Sequence, residues 1–291
     1  MSSIASTHLL LVNESDDQMD FNFIKAISEM LGGKSYQMSL NDNQKHGRSF
    51  LDSTSNLMKC IHSANFHPHS IHFILLSLAD CEVESELMKK IIDFSQNPQS
   101  STIFIDPSTD TQIEIPKNVW FAMSLDQVEP FQIPDQLYRS SISFASNATM
   151  VEAKNEMTKK SFDLSLNDFR HHLVDILSTH YLPESTWKKF DEIDLFMKPF
   201  GVEIFDNIIS REIEHYTAMY LSCNGLENEV VDNVLNHKIL PIAYKVFLSV
   251  NHDSELNFYS LCDQLFDLDE LKKSKHFLSQ IKDINQDKGV S

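Results

Sequence analysis

The stretch IHFILLSLA, from Ile71 to Ala79, limits the fold more than any other part of the chain. It is almost wholly apolar, too short for an ordinary buried helix, and lacks the strict alternation of a half-exposed strand. A strand of this kind is covered on both faces, and such strands belong to parallel sheets flanked by helices. The flanking sequence agrees. HLLLV (His8 to Val12) is a short apolar strand, and FNFIKAISEML repeats apolar residues at Phe21, Ile24, Ile27 and Leu31 before Gly32-Gly33 closes a helix. YQMSL reads as a second strand, Leu51 to His62 as a helix, ESELMKKIIDF as a helix, STIFIDP as a strand ending at Pro107, and Asn118 to Leu125 as a further strand.

Beyond this alternation the pattern changes. From Arg139 to about Lys160 the sequence is rich in Ser, Asn and Thr and reads as a loop or linker. After it, Leu166–Thr179, Trp187–Pro199, Glu203–Leu221, Glu227–Leu240, Ser254–Phe266 and Leu271–Ile284 all carry three-and-four spacing, with Asn224-Gly225 and Pro241 as stops. The expected organisation is an α/β core over 1–145, a linker over 146–160 and an all-helical domain over 161–291. No internal repeat is visible.

Charge and cysteine usage narrow the function. The chain has 291 residues and a formal net charge of −18, split evenly between residues 1–150 and the remainder. Nucleic-acid binding draws on cations that displace counterions from phosphates, so direct binding to DNA or RNA is not expected. Four cysteines (Cys60, Cys81, Cys223, Cys262) lack CxxC spacing and read as reduced thiols of a cytoplasmic protein. No run approaches the length of a membrane span, and the N-terminal segment lacks the basic start of a signal peptide. Only six glycines are present, which speaks against a glycine-rich phosphate loop.

Several segments, in order, resemble the McrB-type branch of the AAA+ NTPases, found in modification-dependent restriction and related antiphage systems. IEIPKNVWFAMSLDQ (Ile113 to Gln127) resembles the IPKNxWF strand that ends at the sensor-1 asparagine. DQLYRSSISF (Asp135 to Phe144) resembles the segment that follows it. PFGVEIFDNIISREIEHY (Pro199 to Tyr216) is similar to the lid helix, and VVDNVLNHKILPIA (Val230 to Ala243) is similar to the KILP segment, the most specific of the matches. LKKSKHFLSQIKDINQDKGVS resembles the terminal helix. The resemblance implies an AAA+-like, mostly parallel sheet covered by helices, followed by a helical lid.

The residues that would touch nucleotide depart from that family. An AAA+ site needs backbone N–H groups of a glycine-rich loop around the phosphates, a Lys for charge and a Ser/Thr for Mg²⁺. Here the loop after the first strand runs from Asn13 to Asp20, with carboxylates at Glu14, Asp16, Asp17 and Asp20, no glycine and no lysine. Met19 and Asp20 stand where the family's Lys and Ser/Thr fall. The strand that should end in Asp-Glu, to hold Mg²⁺ and orient water, supplies Ser77 and Leu78. The sensor-1 asparagine falls on Asp126 or Ser124, and the lid arginine on Glu203 or Ile204. Arg139 alone stays near the family's inter-subunit arginine, and the resemblance implies a role for it in trans, on a neighbour's nucleotide.

Other constellations are weaker. His62, His67, His69 and His72 are close in sequence, but no Cys or spaced carboxylate completes a zinc set, so a Pro68-broken loop is the expected reading and no metal is expected. His171-His172 reads as helix surface. The acidic loop also resembles a receiver-domain pocket over residues 1–130, but Ser77 stands where that fold needs an aspartate. No G-x-S-x-G elbow or Cys–His signature appears. Lys272, Lys273 and Lys275 form a small basic group on the last helix. The expectation is a pseudo-ATPase: a non-catalytic AAA+-like subunit or regulator that assembles with itself, an active AAA+ motor or an effector. It would need no cofactor. Two alternatives stay open: a divergent NTPase that holds ATP or GTP with Mg²⁺ through the acidic loop, and an α/β binding module without NTPase history.

Overall fold

The structure is a computed structural model, and it describes residues 7–13, 24–25, 27–29, 31–38, 55–77, 86–97, 103–106, 111–124, 133, 135–145, 166–248 and 252–287. Among them the strands are β1 (Leu9–Asn13), β2 (Ser35–Met38), β3 (His72–Ser77), β4 (Ile103–Asp106), β5 (Thr111–Glu114), β6 (Val119–Ser124) and β7 (Ile142–Ala145). The helices are α1 (Asn56–Phe66), α2 (Glu86–Gln96), α3 (Asp135–Ser140), α4 (Leu166–Leu177), α5 (Glu184–Met197), α6 (Asn207–Ser222), α7 (Glu227–Val234), α8 (Leu240–Leu248), α9 (His252–Phe266) and α10 (Lys272–Asp287). The chain divides into two compact units. One takes in Thr7–Glu129 and Ser140–Val174, and the other Pro130–Arg139 and Asp175–Ser291.

The first unit is the expected α/β fold. Its five-stranded sheet runs in the order β2-β3-β6-β1-β7, and every neighbouring pair is parallel. Leu9, Leu10 and Leu11 on β1, Phe73 to Leu76 on β3 and Val119 to Met123 on β6 are all buried. Consecutive residues point to opposite faces, so these strands are covered on both sides, as the unbroken apolar runs require. The connection from β1 to β2 crosses the sheet in one direction, and the later ones return in the other.

The aromatic residues of this unit are structural. His8 stacks on Trp120 at 4.1 Å, and Phe94 of α2 meets Phe121 edge-on at 6.1 Å. The Trp120 indole donates to the Thr7 carbonyl at 3.0 Å. Gly33 follows a left-handed Gly32 (φ 68°), and a Cβ on it would strike the backbone of Ile71. Asn118 is buried, and its amide nitrogen donates to the carbonyls of Ala64 (3.1 Å), His67 (3.1 Å) and Ser70 (2.9 Å). It thus folds the turn after α1 against β6. Asn118→Ala takes a donor from each of those carbonyls, of which that of His67 keeps the Ser70 N–H, and is expected to cost about 2–3 kcal/mol, read as a lower urea midpoint at unchanged m-value.

Three expectations need correction. The strand in STIFIDP does not join the parallel sheet. It forms an antiparallel hairpin, β4 with β5 (Ile103 opposite Glu114), and β5 was not anticipated. The stretch from Arg139 onward is not all loop, because Ile142–Ala145 is the parallel edge strand beside β1. Its four residues are too few for periodicity to reveal. Pro241 does not stop its helix. The helical backbone continues from α7 through a π turn, Leu235–Ile239, into α8, and the Leu240 N–H reaches back to the Leu235 carbonyl. The widened turn absorbs the hydrogen bond that proline cannot make.

The second unit is helical. A phenylalanine cluster forms its interior: Phe190 lies 5.2 Å from Phe205 and 5.3 Å from Phe266, and Phe258 lies 5.3 Å from Phe247. The expected break at Asn224-Gly225 is present. Asn224 is left-handed (φ 64°), and a side chain on Gly225 would collide with the Tyr220 ring. α6 begins at Asn207, later than Glu203, because Asp206 caps it by accepting from the N–H groups of Ile208 and Ile209 at 2.9 Å each.

Candidate functional site

In open parallel sheets, ligands bind beyond the carboxyl ends of the strands, where connections leave in opposite directions. Here that place lies between β1, whose connection leads toward β2, and β6, whose connection leads toward β7. The register puts Val12 opposite Ser124 and Ser77 opposite Ser124, with Asn13 one residue farther along β1. Three sequence-selected positions, Asn13, Ser77 and Ser124, therefore share one edge of the sheet. Asp16, Asp17, Met19, Asp20, Leu78 and Asp126 lie outside the described residues.

By sequence, the residue types at this edge differ from those that the resembled family uses for an Mg-nucleotide. Ser77 stands at the end of β3 where that family has an acidic residue, and the sequence after β1, from Glu14 to Asp20, has neither lysine nor glycine. The described histidines are also dispersed in environment. His62, His67 and His69 are exposed, whereas His72 is buried. Among the described residues no three His, Cys, Asp or Glu side chains are grouped to hold a metal ion.

The lid positions of the resemblance fall before α6. Glu203 is exposed, and Ile204 is buried with its N–H donating to Asp194 at 2.7 Å. Arg139 lies on α3, in the helical unit. Its Nη1 is 3.5 Å from Asp206 Oδ2, and its side chain keeps 23% of its accessible surface. The cap of α6 is thus also the partner of Arg139.

Directly beside this pair is a buried charge cluster that sequence reasoning missed. Lys238, in the π turn, donates to Glu212 Oε2 at 2.7 Å, to the Tyr138 carbonyl at 2.8 Å and to the Arg139 carbonyl at 3.1 Å. Both side chains of the ion pair are 3% exposed. Burial pushes the Glu212 carboxyl up and the Lys238 ammonium down, and their mutual attraction opposes both shifts. Three acceptors around Nζ match the three hydrogens of an ammonium, so the geometry is that of an ionic pair. At the other end of α3, Lys245 Nζ bonds Asp135 at 2.9 Å and lies 5.2 Å from the centre of the Tyr138 ring.

No protein-family model matches this chain, and no curated protein matches it.

The KILP-like segment also anchors the last helix. Asp232 accepts from the N–H groups of Lys273 (2.9 Å) and Ser274 (2.8 Å) and from the Ser274 hydroxyl (2.7 Å), capping α10 from a distant part of the chain. Lys273 Nζ meets Asn233 Oδ1 at 2.6 Å, and Asn233 in turn donates to the Tyr216 hydroxyl at 2.7 Å. His237 is buried close by, its pKa lowered to about 3 by burial and by the charges of Lys273 and Lys238. No helix among the described residues is long and apolar enough to cross a membrane.

Proposed function

We propose that the chain is a non-catalytic AAA+-like subunit or regulator of a restriction or antiphage-type complex, acting in the cytoplasm through protein–protein assembly. One observation carries the reading. The parallel sheet presents its carboxyl edge as an AAA+ core would, yet the strand ends there are Asn13, Ser77 and Ser124. The ordered segments from Ile113 to the last helix support the family, and the lost nucleotide positions support the loss of turnover. The α/β core and the helical unit would supply assembly surfaces to a catalytic AAA+ motor, to an effector or to further copies of the chain, and Arg139 would act on a neighbour's nucleotide.

Native mass spectrometry of the purified chain, with and without Mg-ATP and Mg-GTP, tests this. The chain is expected to stay free of nucleotide. A bound nucleotide, above all one that drives a ring to assemble, would overturn the reading in favour of a divergent NTPase. Turnover abolished by Asp16→Ala or Asp17→Ala would then place its site in the acidic loop. The partnership is tested by pull-down. A catalytic AAA+ protein is expected to co-purify, and recovery of none would sink the proposal.

A further inference from the structure

The helix that carries Arg139 has only six residues, too few to be stable by itself in water, and its terminal carbonyls have no partners within the helix. Two lysines about two helical turns apart hold it. Lys245 engages the first residue, Asp135, and Lys238 binds the carbonyls of Tyr138 and Arg139 in the last turn. Glu212 also binds the Lys238 ammonium, and it lies on α6 within the buried stripe of Ile209, Ile213 and Tyr216. Asp206, at the start of the same helix, faces the Arg139 guanidinium, which remains partly exposed. The backbone of Arg139 and its side chain are therefore located by two residues of one helix cap and one helix face.

We propose that Lys238, fixed by Glu212, is the positioning residue of Arg139: it holds the last turn of α3 so that the guanidinium, seated on Asp206, is presented to an anionic group of a neighbouring subunit. Guanidinium geometry suits a phosphate or carboxylate, and a nucleotide phosphate bound by a catalytic partner is the anion expected. That choice of anion rests on the function proposed above, whereas the positioning rests on the geometry of this unit.

The test uses the double variant Lys238→Met/Glu212→Met, which removes both charges and so leaves no lone buried ion. Circular dichroism should show the helical content retained. Hydrogen exchange at residues 135–140 is expected to accelerate about tenfold or more, since two charge-assisted hydrogen bonds to that turn are lost, while α8 and α9 keep their protection. In the complex with the co-purified catalytic AAA+ subunit, the partner's kcat should fall to the level given by Arg139→Ala, with KM and assembly unchanged. Unchanged exchange at 135–140 would overturn the positioning role. So would a double variant that leaves kcat intact where Arg139→Ala lowers it. If Arg139→Ala itself leaves kcat unchanged, the trans-acting reading fails, and the presentation of Arg139 to a neighbour fails with it.

Discussion

Lys238→Ala alone is expected to destabilise the helical unit by about 3–5 kcal/mol, a large share of the total stability of an ordinary domain. The cause is the group left behind. Glu212 is buried among apolar neighbours of α6, and without the ammonium at 2.7 Å its carboxylate has lost its ionic partner. The carbonyls of Tyr138 and Arg139 lose their donor in the same step. Glu212→Ala is expected to be comparably severe, because it strands the ammonium. The double replacement by Met should recover the part of the loss that comes from the lone buried charge, since a buried ion pair contributes little net stability beyond a well-packed apolar pair, while the Tyr138 and Arg139 carbonyls stay without this donor. Urea unfolding of the two single variants and the double variant, analysed as a cycle, measures this coupling. Additive losses in the double variant would refute the ionic account of the pair.

Acid is expected to unfold the protein earlier than its carboxylates alone would dictate. Burial lowers the pKa of His72 to about 4, and that of His237 to about 3, from an ordinary value of about 6.5. Between those folded values and pH 6.5 the unfolded chain binds more protons than the folded one, so stability rises with pH across that window. The contribution is complete above about pH 6.5 and is lost as the pH falls toward 4. At about 1.4 kcal/mol per pKa unit, shifts of this size account for on the order of 3–5 kcal/mol each. His72→Phe should flatten the slope between pH 6.5 and 4, because it removes the buried imidazole that titrates there and puts an apolar ring of similar shape in its place. Denaturation midpoints measured at intervals across the window decide the matter, and an unchanged slope in His72→Phe would show that His72 does not titrate there on unfolding.

What was legible in the sequence follows the same physics. Ile71–Ala79 announced a doubly covered strand because every face had to be apolar, and β3 is that strand, inside the sheet between β2 and β6. Gly32-Gly33 and Asn224-Gly225 were legible because left-handed backbone leaves a residue signature. β7 was not, since Ile142–Ala145 is flanked by serines and gains its identity only by pairing with β1. Pro241 misled for a local reason: the π turn that accommodates it has no mark of its own in the sequence. Of the site, the strand-end positions were placed by motif and register together. Lys238 lies inside the KILP-like segment, but no local pattern marks it as buried. Glu212 carried a clearer signal, since it falls three residues after Ile209 and four before Tyr216, on a face that must be buried. Their pairing is tertiary, and no local rule joins residues on different helices.

The strand order also sets a timetable for synthesis. β1 has only β6 and β7 as partners, and its Leu9 pairs with Phe121 roughly 110 residues later in the chain. At roughly 5–20 residues per second, the LLLV segment waits on the order of ten seconds after it is made before its neighbours exist. For that interval a short, uncharged apolar strand with two open edges is offered to whatever else is nearby. That strand is therefore a segment on which a chaperone, or another nascent copy of the chain, has an opportunity to act before β6 and β7 are made.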